Sequence, residues 1–205
     1  MEASAILLAG GKSSRFGRDK TTLDYDGRPM AAELALRLGG EFREVLIISN
    51  QEDKFGVPGV REIQDRYPGR GPLGGIHAGL LEARWDLCFV AAADMPFLDV
   101  EAAVNLIRLA DDWDAVVPSP GGRPEPLFAV YRKRLAPMAE SLILQDRLAV
   151  RDFLKKLRVL YVSEEHWSRM GFGAKENVFY NINYPEDYEH FQELRGGITD
   201  ASDKR

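Results

Sequence analysis

Short apolar runs alternate with longer segments of helical spacing up to residue 131. The apolar runs are rich in β-branched side chains, and the helical segments repeat apolar residues with the period of a helix. Continuous apolar strands separated by helices are typical of a parallel sheet that is covered on both faces. The pattern predicts strands at 3–9, 45–49, 60–63, 87–93, 114–118 and 127–131, and helices at 30–38, 73–84 and 100–110.

Beyond residue 131 the alternation is less regular. Helices are predicted at 135–144, 150–157 and 185–194, with an extended segment at 159–162. Pro185 suits the first turn of the last helix, and Gly196-Gly197 after Arg195 predict its end. Because no segment has the composition of a linker, we expect one domain over 1–195 and a flexible tail over 196–205. The expected fold class is α/β, a Rossmann-like three-layer sandwich with a mostly parallel central sheet.

The composition narrows the class of protein. With 205 residues, 45% of them apolar and 29% charged, the chain has the balance of a globular enzyme. Its formal charge of −5 argues against general binding of nucleic acid, since a phosphate backbone demands a basic surface. Cys88 is the only cysteine, which excludes an intramolecular disulfide and makes the cytoplasm the expected location. No run approaches the roughly 18 apolar residues of a membrane span, so no membrane contact is expected.

A glycine-rich segment with several basic residues, at 10–20, follows the first predicted strand. Glycines let backbone N–H groups approach an anion, and basic side chains supply charge that binds a polyphosphate. In an open parallel sheet, ligands bind at the carboxyl ends of strands, where this segment begins. It is not a P-loop, since Ile6 stands where that motif requires its first glycine. The alternative for the segment at 10–20 is an ordinary solvated turn. The dinucleotide-binding fingerprint Gly-x-Gly-x-x-Gly occurs elsewhere, at 69–74, but no strong strand precedes it there.

The run Leu-Ala-Gly-Gly-x-Ser-x-Arg-Phe-Gly-x-Asp-Lys at 8–20 resembles the signature of the molybdenum cofactor guanylyltransferases. These enzymes belong to the nucleotidyltransferase superfamily, which includes sugar-nucleotide pyrophosphorylases. The resemblance therefore implies a fold of the nucleotide-diphospho-sugar transferase type, with a nucleoside triphosphate bound along this segment. It also implies that Leu8, Ala9 and Gly10 line the base and ribose, that Gly11 contacts phosphate, and that Arg15 and Lys20 neutralise the phosphates as catalytic residues.

Asp94 directly follows the apolar strand predicted at 87–93. Its carboxylate is expected at the ligand-binding edge of the sheet, where Mg²⁺ takes one or two carboxylates and completes its shell with water and phosphate. The alternative is an Asp that caps a following helix or turn. The family carries its metal ligand in an Asp-x-Pro motif, and residues 94–96 match that motif. The resemblance therefore implies that Asp94 binds the metal, contacts GTP and takes part in catalysis.

Polar residues also follow the second and third predicted strands. Asn50 and Asp65 lie at these ends, where each is more often a turn residue than part of a site. The resemblance places both in the nucleotide pocket, and a carboxylate such as Asp65 can accept from two N–H groups of guanine at once. The run Gly-Pro-Leu-Gly-Gly-Ile at 71–76 resembles a family element that starts a helix with small residues, which puts Gly74 close to the ligand.

Two later segments are expected near the acceptor. The run Asn-Ile-Asn-Tyr-Pro-Glu-Asp at 181–187 resembles a family motif, and alternation puts Asn181 and Asn183 on one face of a strand end. Their amides can donate to a phosphate or a pterin ring, and the alternative is that Asn183 only leads into the last helix. The run at 125–131 resembles a Pro-Leu-x-x-x-Tyr strand of the family, which either packs in the core or contacts the ligand directly. Arg123 and Glu125 are expected on the acceptor side.

The resemblance implies Mg²⁺-dependent transfer of GMP from GTP to the terminal phosphate of molybdopterin or the molybdenum cofactor, with release of pyrophosphate. A phosphate nucleophile is already ionised at neutral pH, so no strong general base is needed. The alternatives are a cytidylyltransferase or another NTP transferase with a different phosphate acceptor, and a protein that binds the nucleotide without turnover. The Gly10-Gly11 pair favours the guanine enzyme by resemblance. We also expect transient contacts with other proteins of cofactor biosynthesis or with molybdoenzymes, and a monomer or weak homo-oligomer.

Overall fold

The computed structural model describes residues 1–10, 16, 19–51, 53–171 and 176–202. The strands of its main sheet are β1 (Ser4–Leu8), β4 (Glu44–Ser49), β5 (Arg61–Gln64), β6 (Leu87–Ala92), β7 (Ala115–Ser119), β8 (Phe128–Arg132) and β9 (Val159–Ser163). A separate hairpin pairs β2 (Asp24–Tyr25) with β3 (Arg28–Pro29). The order across the main sheet is β5-β4-β1-β6-β8-β7-β9, with β1 in parallel pairs with both β4 and β6.

Helices cover both faces of this sheet. They are α1 (Met30–Gly39), α2 (Pro72–Glu82), α3 (Val100–Arg108), α4 (Ala136–Leu144), α5 (Val150–Leu154), α6 (Glu164–Arg169) and α7 (Pro185–Ser202). Buried residues of α1, α3, α6 and α7 share one hydrophobic cluster with Ala5 and Leu7, whereas those of α2, α4 and α5 share a second cluster with Ile6. Since consecutive residues of a strand point to opposite faces, the two clusters lie on the two sides of the sheet. The predicted three-layer α/β sandwich is confirmed.

The sequence explains how the helices dock. In α1, Met30, Leu34 and Leu38 recur every fourth residue and are buried, so they form the apolar stripe that faces the sheet. The docking of α2 is closer because Gly79 has no Cβ, and a Cβ at that position would overlap the side chain of Ile6. This close approach brings the first turn of α2 to the carboxyl end of β1.

One strand runs against the predicted direction. β8 pairs antiparallel with both β6 and β7, while the other pairs of the main sheet are parallel. The physical reason is the short connection between β7 and β8, since a parallel neighbour would need a long crossover and an antiparallel one needs only a turn. The prediction of a mostly parallel sheet still holds. The carboxyl ends of β1, β4, β5 and β6 therefore lie along one edge.

Other differences concern short elements and helix ends. The β2–β3 hairpin and α6 were not predicted, and α5 ends at Leu154, before the predicted residue 157. The prediction that the last helix ends at Arg195 was wrong, because α7 continues through Gly196-Gly197 to Ser202. Each glycine destabilises a helix by roughly 0.5–1 kcal/mol relative to alanine, which does not by itself terminate it. Among the described residues, no helix has both the length and the apolar character needed to cross a membrane.

Candidate active site

Two adjoining cavities lie at the carboxyl ends of β1, β4, β5 and β6. The smaller has a volume of about 330 Å³ and the larger about 640 Å³. Leu8, Gly10 and Pro72 line both cavities, so together they form one continuous cleft. This is the edge at which open parallel sheets bind ligands, and it is where the sequence pattern placed the candidate residues.

Lys20 and Asp94 meet in the smaller cavity. The ammonium of Lys20 lies 3.1 Å from Oδ2 of Asp94 and also donates to the carbonyl of Ile182 at 2.7 Å and to Oδ1 of Asn183 at 3.4 Å. The side chains of the ion pair are 16% and 25% exposed, which reduces screening by water. Two segments far apart in the sequence thus place one cation and one carboxylate together at the cleft.

The segment before α7 is fixed to Asp94 through its backbone. The N–H of Ile182 donates to the carbonyl of Asp94 at 2.9 Å, and the Ile182 side chain is fully buried. Asp187, in the first turn of α7, accepts from the backbone N–H groups of Asn183 and Tyr184 at 2.7 and 2.8 Å. A first-turn carboxylate that accepts from the backbone N–H groups just before its helix forms one half of a capping box. The start of α7 therefore holds the Asn183 backbone in place.

Asn181 and Asn183 both line the smaller cavity, together with Lys20 and Asp94. Nδ2 of Asn181 donates to the carbonyl of Phe179 at 2.8 Å, which orients the side-chain amide. The prediction of a strand end here was wrong, since residues 180–183 form no strand. Ile182 is joined to Asp94 by its backbone N–H and to Lys20 by its carbonyl rather than by a strand ladder. The predicted juxtaposition of the two amides nevertheless occurs.

Asn50 and Asp65 line the larger cavity. Oδ1 of Asp65 accepts from the backbone N–H of Tyr67 at 2.8 Å, while Oδ2 has no hydrogen bond to any residue that the structure describes. Burial raises the pKa of the Asp65 carboxyl, and the hydrogen bond from Tyr67 only partly offsets it. A half-buried carboxylate with one free oxygen can accept hydrogen bonds from a ligand in this cavity.

Glycines at the start of α2 allow this carboxylate to come close to the helix. Gly71, the N-cap residue, has φ of +67°, a conformation that glycine adopts readily. A Cβ on Gly74 would lie 3.0 Å from Oδ2 of Asp65, and one on Gly75 would lie 3.1 Å from the Leu8 side chain. Small residues in the first turn of α2 thus make room for both the Asp65 carboxylate and the wall of the cleft.

His77 lies on α2 behind this wall. Its side chain packs against the ring of Tyr67, with ring centroids 5.4 Å apart, and the residue is 1% exposed. Burial lowers the pKa of its imidazole. His77 is not among the residues that line either cavity.

The carboxylate of Asp94 suits a metal that arrives with phosphate. Oδ2 faces Lys20, whereas Oδ1 makes no hydrogen bond or ion pair with the described part of the chain. Across residues 1–10, 16, 19–51, 53–171 and 176–202, no group of three or more His, Cys, Asp or Glu side chains could hold a metal alone. Mg²⁺ commonly binds through one or two carboxylates, with waters and substrate phosphates completing the shell. The donor set is therefore compatible with Mg²⁺ brought by a nucleotide.

Known proteins are similar to this chain over most of its length. Residues 5–162 match the family model of the MobA-like NTP transferase domain. The chain belongs to this family. A probable molybdenum cofactor guanylyltransferase from Pelotomaculum thermopropionicum is 36% identical over 91% of this chain and 90% of its own length. Another, from Bacillus subtilis strain 168, is 37% identical over 94% of this chain and 96% of its own length.

A solved structure extends the likeness to the fold of the MobA-like family. Molybdopterin-guanine dinucleotide biosynthesis protein A from Archaeoglobus fulgidus has a TM-score of 0.82 and is 28% identical, covering 95% of this chain and 99% of its own. The resemblance inferred from the motifs at 8–20, 71–76, 94–96 and 181–187 is thereby confirmed. The predicted nucleotidyltransferase fold is confirmed as well.

The signature run at 8–20 also contains Ala9, Gly11 and Arg15. Gly11 and Arg15 lie outside the described residues. Ala9 is 3% exposed and packs in the core, and its N–H donates to the carbonyl of Ile48 at 2.8 Å. Its side chain therefore faces the core rather than the cleft, because the alternation of β1 continues one residue past Leu8.

Some lining residues were not predicted. Thr21 lines the smaller cavity beside Lys20. Its position directly after Lys20 in the sequence could have indicated that it belongs to the site. Gly69 and Gly71 line the larger cavity, so the Gly-x-Gly-x-x-Gly run at 69–74 lies at the site. Leu127 lines the smaller cavity, whereas Arg123 and Glu125 line neither.

Proposed function

We propose that this chain transfers GMP from GTP to the terminal phosphate of molybdopterin, or of its molybdenum form, and releases pyrophosphate. The observation that carries the proposal is the meeting of Lys20 and Asp94 in a cavity that adjoins the one lined by Asn50 and Asp65. A triphosphate can thus lie with its base in the larger cavity and its phosphates in the smaller. The names of the relatives from Pelotomaculum and Bacillus support this choice of substrates.

The larger cavity is assigned to guanine and ribose. Oδ2 of Asp65 has no hydrogen-bond partner among the described residues, and a guanine edge presents two N–H donors that a carboxylate can accept. The carboxyl must be ionised to accept both. Burial raises the pKa of Asp65, and the hydrogen bond from the Tyr67 N–H opposes that rise. Asn50, which follows β4 and lines the same cavity, is assigned to the nucleoside.

The smaller cavity is assigned to the reacting phosphates. Lys20 would offset the charge that grows on the α-phosphate and the leaving pyrophosphate, because a cation placed in a partly shielded site stabilises developing negative charge. Asp94 would hold Mg²⁺ through Oδ1, and the ion would supply further positive charge to the phosphates. The attacking phosphate is already ionised, so this chain needs to position it rather than deprotonate it.

Asn181 and Asn183 are assigned to the acceptor. Oδ1 of Asn183 accepts from Lys20, which leaves its two N–H groups to donate into the cavity. Both amides lie beside the ion pair, so a phosphate held by them would also lie beside the α-phosphate bound at Lys20. Positioning of two phosphates in this way converts a bimolecular step into an effectively unimolecular one.

A nucleotide-specificity assay tests the proposal. The protein is incubated with molybdopterin and Mg²⁺ together with GTP, CTP or ATP in turn, and release of pyrophosphate is measured. We expect turnover with GTP at the highest kcat/KM and none when a chelator removes the metal. Preference for CTP would assign the chain to cytidylyl transfer, and binding of GTP without pyrophosphate release would contradict any transferase.

A further inference from the structure

A lysine outside both cavities holds the segment that carries Lys20. Lys54 lies in the connection between β4 and β5, and its ammonium forms an ion pair with Oδ2 of Asp19. The same ammonium donates to Oγ1 of Thr21 at 3.1 Å. The Lys54 side chain is only 15% exposed, and its nitrogen lies 5.0 Å from the centroid of the Phe55 ring. This lysine is therefore packed in place rather than extended into solvent.

Asp19 links Lys54 to the turn that contains Lys20. It is the N-cap of the single 3₁₀ turn Lys20–Thr22, and its Oδ1 accepts from the backbone N–H of Thr21 at 3.0 Å and from Oγ1 of Thr21 at 2.6 Å. Burial opposes the charge of Asp19, yet the hydrogen bonds from Lys54 and Thr21 outweigh it and lower the pKa of the carboxyl. One carboxylate thus joins Lys54 on one side to the turn that begins with Lys20 on the other.

The turn that presents Lys54 is itself fixed. The carboxylate of Glu62, on β5, accepts from the backbone N–H groups of Phe55 at 3.1 Å and of Gly56 at 2.7 Å. A 3₁₀ turn of three residues is weak by itself, since its hydrogen bonds are poorly aligned. The contacts that link this short turn to β5 through Lys54 and Glu62 are therefore more important for its position than they would be for a long helix.

We propose that Lys54 is a positioning residue for nucleotide binding, which acts through Asp19 to keep the ammonium of Lys20 at the phosphate side of the cleft. Lys54 lines neither cavity, so it does not contact the nucleotide. Its effect passes along a contiguous path of contacts from Glu62 through the Lys54 turn and Asp19 to Lys20. This inference rests on the proposed GTP site.

A double-mutant cycle on GTP affinity tests the inference. The dissociation constant of GTP with Mg²⁺ is measured by calorimetry for wild type, Lys54→Met, Lys20→Ala and the double variant. We expect Lys54→Met to weaken GTP binding about tenfold in the wild-type background, the scale on which residues of one network couple. In the Lys20→Ala background the same change should have less than a twofold effect, because the lysine that it positions is gone.

Two further variants separate positioning from loss of folding. Lys54→Arg keeps the ion pair to Asp19 and should retain affinity within about threefold of wild type. Lys155→Met removes an exposed lysine that pairs with Asp152 at 2.9 Å on α5, and it should leave GTP binding unchanged. The thermal unfolding midpoint of each variant confirms that the folded protein is being compared.

The outcomes are distinct. Equal weakening by Lys54→Met in both backgrounds would overturn the inference, since Lys54 would then act independently of Lys20. No weakening in either background would overturn it as well. A wild-type protein that does not bind GTP would contradict the proposed function itself, whereas normal wild-type binding with an additive cycle would contradict only the role of Lys54.

Discussion

The backbone N–H of Ile182 donates to the backbone carbonyl of Asp94 across 2.9 Å. The carbonyl of the same Ile182 accepts from Lys20 at 2.7 Å, so one buried residue bridges the two charged groups of the cleft. The segment at 181–183, which we propose binds the acceptor, is therefore held by a backbone hydrogen bond to the proposed metal ligand. We infer that donor and acceptor phosphates are positioned by one rigid set of contacts, which is what in-line transfer between two anions requires.

The first prediction concerns recognition of the base by Asp65. If Asp65 accepts from both N–H donors of guanine, Asp65→Asn should reduce kcat/KM for GTP by roughly 10- to 100-fold, because a lost hydrogen bond to a charged group costs about 1.5–3 kcal/mol. Inosine triphosphate lacks the exocyclic amine. Wild type should therefore prefer GTP to inosine triphosphate, and Asp65→Asn should shrink that preference. An unchanged preference in the variant would place the base elsewhere.

The second prediction concerns the space that Gly74 leaves. A Cβ there would lie 3.0 Å from Oδ2 of Asp65 and 3.1 Å from the backbone oxygen of Tyr67, so Gly74→Ala must displace the carboxylate or the helix. We expect KM for GTP to rise about tenfold with a smaller change in kcat, since sub-ångström misplacement of a binding group is costly.

Gly39→Ala is the matched control for this substitution. Its Cβ would meet only the Val45 side chain, at an ordinary 3.9 Å, and Gly39 lies at the end of α1 outside both cavities. Steady-state kinetics of the two variants should therefore differ. If Gly74→Ala kept the KM of wild type, the close approach of α2 to Asp65 would have no role in binding.

The third prediction concerns stability and pH. Glu44 is 6% exposed, and its carboxylate accepts from Ser4 Oγ at 2.6 Å, Arg84 N–H at 2.7 Å and Arg61 at 2.7 Å. Burial opposes the charge, but these hydrogen bonds outweigh it and lower the pKa of Glu44 below its ordinary value. Its contribution to the free energy of unfolding is therefore present above the unfolded pKa and is lost as pH falls through the folded pKa.

Glu44→Gln should lower the free energy of unfolding at pH 7 by about 1–3 kcal/mol, as expected for hydrogen bonds to a buried charged group. Urea titrations at pH 7 and at more acidic pH should show a smaller loss on acidification for the variant than for wild type. Glu165→Gln, at an exposed pair with Arg169 on α6, should change the free energy by less than about 0.5 kcal/mol. Equal acid sensitivity of wild type and Glu44→Gln would contradict the assigned role.

Residues at strand ends were predictable from the sequence. Asn50, Asp65 and Asp94 each follow a predicted strand, and the rule that ligands bind at carboxyl ends of parallel strands placed all three at one edge. Periodicity alone did not associate Lys20 with Asp94, because the two lie in different segments; the resemblance supplied that association. The structure adds their contact at 3.1 Å.

Other features depend on tertiary contacts that no local pattern encodes. The reversal of β8 follows from the length of its connection to β7, and its apolar run has the same composition in either direction. Lys54 stands in a polar segment typical of a solvated loop, and only the fold brings its ammonium to Asp19. Ala9 belongs to the signature run, yet its side chain packs in the core because the alternation of β1 continues past Leu8.

The most direct test of the account is pyrophosphate release from GTP, with molybdopterin and Mg²⁺, by Asp94→Asn beside Asp86→Asn. The two aspartates flank β6, but Asp86 lies at the opposite edge, where its 55% exposed side chain pairs with Arg132. Loss of a metal ligand removes several kcal/mol of charge stabilisation, so Asp94→Asn should lose at least about 100-fold in kcat/KM. Asp86→Asn should match wild type, with both variants folded by thermal unfolding. Normal turnover by folded Asp94→Asn would contradict the central claim that this carboxylate anchors the reacting phosphates.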